Sequence, residues 1–342
     1  MKMKKNDQNN EKRLEFHRLF SKINSFIKLF LTGPLRPFFV VMIIFLAIGF
    51  LNPRFFTLRS LILIIKQSSI LLVVGLGLTF VILAGGIDLS VEGLMAISAI
   101  TCSFLINNVR NSNDFGLLGI FLALLVASFA GFLNGVIHTK VKIPSIITTL
   151  GMWFIARGTA VVLYGGYPIR IKDNLLLFLT KESTLGFPNI SIVALVMFGL
   201  ALFLEKFTKL GRYTYVIGGG EEKAKLAGIS IDKYKIGIFT IAGFFFGAAG
   251  ILNTGRIGSG TARVGDGTLL QGIAAVVMGG TALTGGIGGV FRTLIGAITI
   301  AIVNNGMLIL GVSPYIQQAV MGVIIIIAVA TNLDRTKISL LK

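Results

Sequence analysis

The chain has 342 residues, 54% of them hydrophobic and 13% charged, with a mean hydropathy of +0.86. That is too little polar material to coat a soluble domain, so the bilayer must be the solvent for most of it. A net charge of +18 invites a nucleic-acid partner, but its distribution along the chain excludes one, and the single cysteine, Cys102, excludes an intramolecular disulfide.

Residues 1–35 come first. Phe16, Leu19, Phe20, Ile23, Phe26, Ile27 and Phe30 recur at three- and four-residue spacing, with Lys12, Arg18, Lys22 and Lys28 between them. This predicts a basic amphipathic helix lying on the anionic inner leaflet, ended by Gly33 and Pro34. Ten apolar runs follow, at 36–52, 61–84, 90–107, 116–137, 144–165, 189–205, 236–254, 268–285, 290–311 and 314–332. Each is long enough, or nearly so, to cross ~30 Å of hydrocarbon at ~1.5 Å per residue. The expected fold is therefore an all-α polytopic membrane protein: about ten transmembrane helices over 36–332 and a tail at 333–342. With the N-terminus inside, inner segments carry 22 Lys and Arg, counting Arg36 and Arg292 at the inner ends of their runs, and outer segments 8, while Lys66 and Arg157 fall deeper within spans. Positive charge gathers on the cytoplasmic side of membrane proteins, so topology accounts for the basic charge, both termini are placed inside, and a cell-membrane location follows.

Between the second and third spans lies VILAGGIDLSVEG, residues 81–93. It reads as a tight turn near the cytoplasmic side. Gly85 and Gly86 permit the backbone angles that end a helix. Asp88 or Ser90 caps the next helix, and Glu92 sits in its first turn, where the macrodipole favours negative charge. A compatible reading makes the turn line a transport path, with Asp88 and Ser90 facing a polar solute, because irregular backbone at membrane depth must be protein-buried or wet. Arg157 in the fifth span is a candidate for pore structure or gating. Asn134, Gln271, Asn304, Asn305, Gln317 and Gln318 offer amides to a sugar's hydroxyls, or bond helix to helix, and Trp153 could stack on the sugar's apolar face.

The longest inner loop, 206–235, contains GGGEEKAKLAGI. Glu221 to Ala227 reads as a short helix with Glu221 and Glu222 at its start and Gly228 just past its end. So short a helix needs a partner surface. Farther on, Gln271-Gly272-Ile273-Ala274-Ala275 follows the pattern of Glu92-Gly93-Leu94-Met95-Ala96 five spans earlier. An odd offset brings the two stretches in from opposite sides, as an inverted five-span repeat requires.

GGIDLSVEG, TLGMWFIARG (149–158), GGGEEKAKLAGI (218–229) and GIAAVVMGGTALTGGIGG (272–289) stand in the order and spacing of ribose-type permease subunits. The chain thus resembles the monosaccharide permeases of ATP-binding-cassette importers, in the branched-chain-amino-acid/ribose permease superfamily, over residues 60–332. The family usually has glycine where Glu92 stands and serine or alanine at Gly93. The resemblance implies a non-catalytic permease subunit with two permease copies around the path. It implies ATP and Mg on a separate cytoplasmic subunit and a sugar-binding protein outside. It makes Gly219, Glu221, Glu222, Ala224, Leu226, Ala227, Gly228 and Ile229 the ATPase-coupling element, with Ala224, Leu226, Ala227 and Ile229 as its apolar contacts. No Walker A pattern occurs in the chain, so ATP must be bound elsewhere. His17 and His138 lie far apart with no cysteine cluster, so neither a metal site nor catalytic residues are expected. A nucleoside or autoinducer-2 permease and an ion-coupled secondary transporter, with Asp88 or Glu92 as the ion site, are the competing readings.

Overall fold

A computed structural model describes residues 36–332. The amphipathic segment expected before residue 36 and the tail after 332 lie outside the described residues. A helix occupies each of the ten apolar runs: α1 (Arg36–Leu51), α2 (Leu58–Leu83), α3 (Val91–Leu105), α4 (Leu117–Val136), α5 (Ser145–Tyr164), α7 (Asn189–Phe207), α10 (Ile231–Ile257), α11 (Thr268–Met278), α12 (Val290–Ile309) and α13 (Pro314–Asn332). Six of them, α2, α4, α5, α7, α10 and α12, are long and apolar enough to cross a membrane, which makes this a multi-pass membrane protein.

Burial sorts these helices. α10 is 72% buried and α2 61% buried over their most apolar stretches, against 28% for α4, α5 and α7. A helix apolar all round belongs at the centre, and one that exposes Phe121, Phe129, Phe154, Ile155 and Phe203 belongs against lipid. α10 packs on α2, α3 and α4. Its approach to α4 is backbone to backbone. A Cβ at Gly243 would strike the Ala127 carbonyl, and one at Gly131 the Phe239 carbonyl. Small residues at four-residue spacing on both helices allow this, as in other membrane bundles.

One face of the bundle carries short elements absent from the sequence reading. α4 continues as a π turn (Ile137–Val141), and the long loop holds an eleven-residue helix, α8 (Lys209–Gly219), before α9 (Glu221–Leu226). The opposite face carries α6 (Asn174–Lys181), capped by Asp173 on the Leu176 N–H at 2.7 Å, and four two-residue strands. There β1 (Ile169–Arg170) pairs antiparallel with β4 (Ser259–Gly260), with Ile169 opposite Gly260, and β2 (Ser183–Thr184) pairs with β3 (Phe187–Pro188).

Two spans are broken. After a turn at Ala84-Gly85, residues 86–90 are irregular, neither helix nor strand, so the connection is longer than the expected tight turn. It climbs beside α5: the Ile87 N–H donates to Ser145, the Leu89 N–H to Thr149, and Gly93 lies against Trp153. Thr149 is four and Trp153 eight residues beyond Ser145, so α3 starts between ~6 and ~12 Å along α5 from its first residue. The eighth run also departs from expectation. Its helix stops at Met278, and 279–289, in which six of eleven residues are glycine, is irregular. Its entry is irregular as well. The chain leaves β4 beside Ser103, descends about two turns of α3 (~11 Å), and reaches Glu92 and Met95 at Gly265. α3 and α11 therefore start near one another inside the bundle and run to opposite faces.

Candidate translocation path and coupling element

Two helix N-termini with positive dipole ends meet at Glu92. α11 has Gly267 at its N-cap and no side-chain cap of its own. Glu92 supplies one from α3: its Oε1 accepts from the Gly267 N–H at 3.0 Å and the Leu269 N–H at 3.3 Å. Beside it Arg157 forms an ion pair with Asp266, the residue before that N-cap. A second glutamate acts likewise. α12 starts after Gly289, also without a cap of its own, and the buried Glu205 of α7 accepts from the Val290 N–H at 3.3 Å and from the Tyr215 hydroxyl. Burial and the neighbouring Glu205 carboxylate push the Tyr215 phenol above its ordinary range. The glycine-rich entries of α11 and α12 have no side chains to cap with, so distant acids do it.

Asp88 is fully buried. Its Oδ1 accepts from the Ser90 N–H at 2.8 Å and the Ser90 hydroxyl at 2.5 Å, and Ser90 Oγ accepts from Asn134 at 3.0 Å. Asp88 thus closes an Asx-type turn ahead of α3 rather than capping the helix, and Ser90 at the N-cap makes no side-chain cap bond. Asp88→Asn keeps an acceptor for both donors and should leave stability and uptake near wild type. Asp88→Ala strands them at about 1–3 kcal/mol per group, and should lower the melting temperature of the detergent-solubilised protein. Equal melting of the two variants would refute the assignment.

The polar residues of the later spans divide. Asn305 is buried and bonds Ser60 at 2.8 Å, joining α12 to α2. Trp153 packs edge-on against Phe154, and its backbone lies against Gly93. Gln271, Asn304, Gln317 and Gln318 come together, with Gln67 and Asn253, around a cavity of about 630 Å³ between α2, α10, α11, α12 and α13. Asp266 and Arg256 also line it, whereas Arg157 meets it only through its pair with Asp266. Gln67 was not foreseen, because an amide amid Lys66 and two serines reads as ordinary polar relief.

The segment expected to couple to an ATPase has the predicted outline. α9 covers Glu221–Leu226, Ala227 ends it, and Gly228 follows at φ +74°. Its four apolar residues do not face one way. Ala224 is buried in this chain, Ile229 is half-buried, Ala227 is exposed, and Leu226 is 89% exposed. Lys235 ties α9 to α10 by donating to Glu221 at 2.6 Å and to His138 Nε2 at 3.2 Å, while His138 Nδ1–H donates to the Ile143 carbonyl. Lys140 bridges Asp232 at 2.8 Å. Exposed pairs contribute ~0–1 kcal/mol, so Lys140–Asp232 adds little to the fold, and Lys235–Glu221 orients α9 on α10. A charged cavity of about 630 Å³, lined by Lys140, Glu221, Glu222, Lys225 and Asp232, opens beside them.

Beneath α9 three glycine pairs converge. The Gly286 N–H donates to the Leu83 carbonyl at 2.8 Å. Gly285 lies against Gly85 and Gly218, and Gly286 against Gly219. A Cβ on Gly218 would fall on the Leu83 carbonyl oxygen and the Gly286 nitrogen. The glycines of GGIDLS, GGGEEK and TGGIGG thus serve close backbone approach: one knot joins the end of α2, the end of α8 and the loop between α11 and α12.

Comparison with known proteins agrees with this anatomy. The family model "Branched-chain amino acid transport system / permease component" matches residues 60–329. The chain is 35% identical over 305 residues to the ribose import permease protein of Haemophilus influenzae, covering 87% of this chain and 92% of that one. It is 34% identical over 333 residues to the ribose import permease protein of Bacillus subtilis, covering 96% and 98%. It is 32% identical over 310 residues to the galactose/methyl galactoside import permease protein of Salmonella typhimurium, covering 86% and 92%. No solved structure matches. The match spans both broken helices, the coupling element and the glycine knot, and the chain belongs to the branched-chain amino acid and ribose permease family.

Proposed function

We propose that the chain is the permease subunit of an ATP-driven importer for a monosaccharide, with ten spans, both termini in the cytoplasm and two permease copies per transporter. The observation that carries this is α9: a short helix with an exposed leucine, seated on a knot that reaches both broken spans. Among the described residues nothing covers Leu226, and the occupant proposed for it is a partner. In this reading a cytoplasmic ATPase, holding ATP and Mg, covers α9. A sugar-binding protein delivers to the strand-bearing face, as the relatives' import of ribose and galactose suggests. The positions of α3 and α11, five spans apart and running opposite ways, fit an inverted repeat. Asp88 Oδ1 and Glu92 Oε1 serve here as turn and cap, while Asp88 Oδ2 is buried without a hydrogen-bond partner among the described residues, so the ATP requirement of uptake is what separates this reading from an ion-coupled one.

The topology has a direct test. Cys102 is buried, so Lys181→Cys and Lys225→Cys each introduce the one accessible thiol among the described residues. An impermeant maleimide added to intact cells should label position 181 at once and position 225 only after the membrane is opened. The reverse pattern refutes the orientation. For function, D-ribose, D-galactose and D-fructose uptake should be measured in proteoliposomes with the neighbouring ATPase and binding protein. Uptake should require ATP and survive ionophores, and uptake without ATP refutes the importer reading.

A further inference from the structure

We propose that the amide-lined cavity between α2, α10, α11, α12 and α13 is a solute station inside a single protomer, built for a neutral polyhydroxylated ligand. This rests on the sugar-permease reading and goes beyond it, because two copies could enclose a path without either holding a site of its own.

Depth is the first argument. Gln67 lies nine residues into α2 from Leu58, and Asn304 five residues from the end of α12 at Ile309. At ~1.5 Å per residue they stand ~14 and ~8 Å below the strand-bearing ends of their helices. Amides at that depth are not turned to lipid; they bond other helices or face water. Asn253 is already engaged, donating to the Val264 carbonyl at 2.6 Å and accepting from Arg256 Nε at 3.1 Å. The others keep free valences. Asn304 donates to Gln271 Oε1 at 3.3 Å, which leaves Gln271 Nε2 and Asn304 Oδ1 without a further hydrogen bond among the described residues. Gln67 Oε1 is buried with no partner there. Gln317 uses Nε2 on the Val312 carbonyl and keeps its oxygen.

Chemistry selects the ligand. The free valences include both an NH₂ donor and carbonyl acceptors, and a hydroxyl needs both. Leu71, Leu270, Leu308 and Met321 give the cavity an apolar wall, which suits the C–H face of a sugar ring. The Asp266 carboxylate is paired with Arg157, so no unpaired acid calls for a cation; Arg256, which has no carboxylate partner among the described residues, spends its Nε on Asn253 and has further N–H donors that a hydroxyl oxygen can accept from. The volume is within the ~300–1,000 Å³ of small-ligand sites. Position adds a mechanism. The floor of the cavity, Asp266 to Gln271, is the entry of the broken helix α11, the element that Glu92 holds to α3 and the knot joins to α9. A movement at α9 therefore reaches the floor through α11 itself.

The test uses the reconstituted transporter. In Asn304→Cys, and separately in Gln318→Cys, a membrane-impermeant methanethiosulfonate reagent added from the strand-bearing side should block at least 90% of D-ribose, D-galactose or D-fructose uptake. The transported sugar should slow modification at least fivefold. Gln271→Leu should raise the half-saturating concentration of binding protein plus sugar tenfold or more, and Gln271→Asn should recover part of the loss. Full uptake after complete modification, or modification that sugar does not slow in either cysteine variant, overturns the proposal and puts the path between the copies. Failure of the underlying reading looks different: the unmodified wild type takes up none of the three sugars, and both claims fall together.

Discussion

Gly218→Ala should dismantle the coupling face while Gly219→Ala leaves it intact. A single methyl on Gly218 falls on two backbone atoms, the Leu83 carbonyl oxygen and the Gly286 nitrogen, neither of which can swing aside as a side chain would. Adding methylenes to a packed site costs about 1–3 kcal/mol, and a backbone clash belongs at or above the top of that range. The adjacent Gly219 has open space at its Cβ position, and alanine is the better helix former by ~1 kcal/mol. Melting temperature in detergent and co-purification of the ATPase should both fall sharply for the first variant and hold or rise for the second. Identical behaviour would mean that the knot contributes nothing.

Leu226→Asp should insert, fold and melt like wild type, yet lose at least tenfold in ATPase affinity (~1.4 kcal/mol) and nearly all ATP-driven uptake. The leucine is 89% exposed, so its loss removes no packing within the chain. Against a partner, the new carboxylate must shed water at several kcal/mol unless paired. Ala224→Asp makes the contrast, because Ala224 is buried within this chain and its replacement should damage folding first. Full ATPase binding and uptake by a properly inserted Leu226→Asp protein would return α9 to being a solvated loop.

Much of this was legible. Apolar length located a helix at all ten runs, and Gly228 ended α9 where its type predicts. Hydropathy misread 279–285 because GGTALTG holds no charge, and a scale that scores composition cannot see that Gly280 and Gly285 carry φ of +92° and +84°. The irregular segment 86–90 was hidden for a related reason: Asp88 and Ser90 look like a cap wherever a helix follows, and only contact with α5 shows the chain rising beside it. α8 escaped notice because an amphipathic helix of eleven residues makes a weak pattern inside a loop. The trans caps could not have been read at all. Glu92 and Gly267 are 175 positions apart, and Glu205 and Val290 are 85 apart; nothing local marks them as partners. Among the amides the residue type was legible, but whether each faced a helix or a cavity was settled by packing: Asn305 meets Ser60, while Asn304 meets Gln271 and open space.

The glycine knot also orders the making of the protein. Its three strands of backbone come from residues near 85, 218 and 285, and a chain emerges from the ribosome in sequence. α8 and α9 are synthesised while the loop that receives them does not yet exist, and the contacts between Gly218, Gly219 and the 285–286 pair cannot form until the α11–α12 hairpin has entered the membrane. Until then the surface meant for the ATPase has no seat. Nascent or truncated permeases ending before residue 285 should therefore be invisible to the ATPase, so that only a chain whose last third is in place recruits its motor.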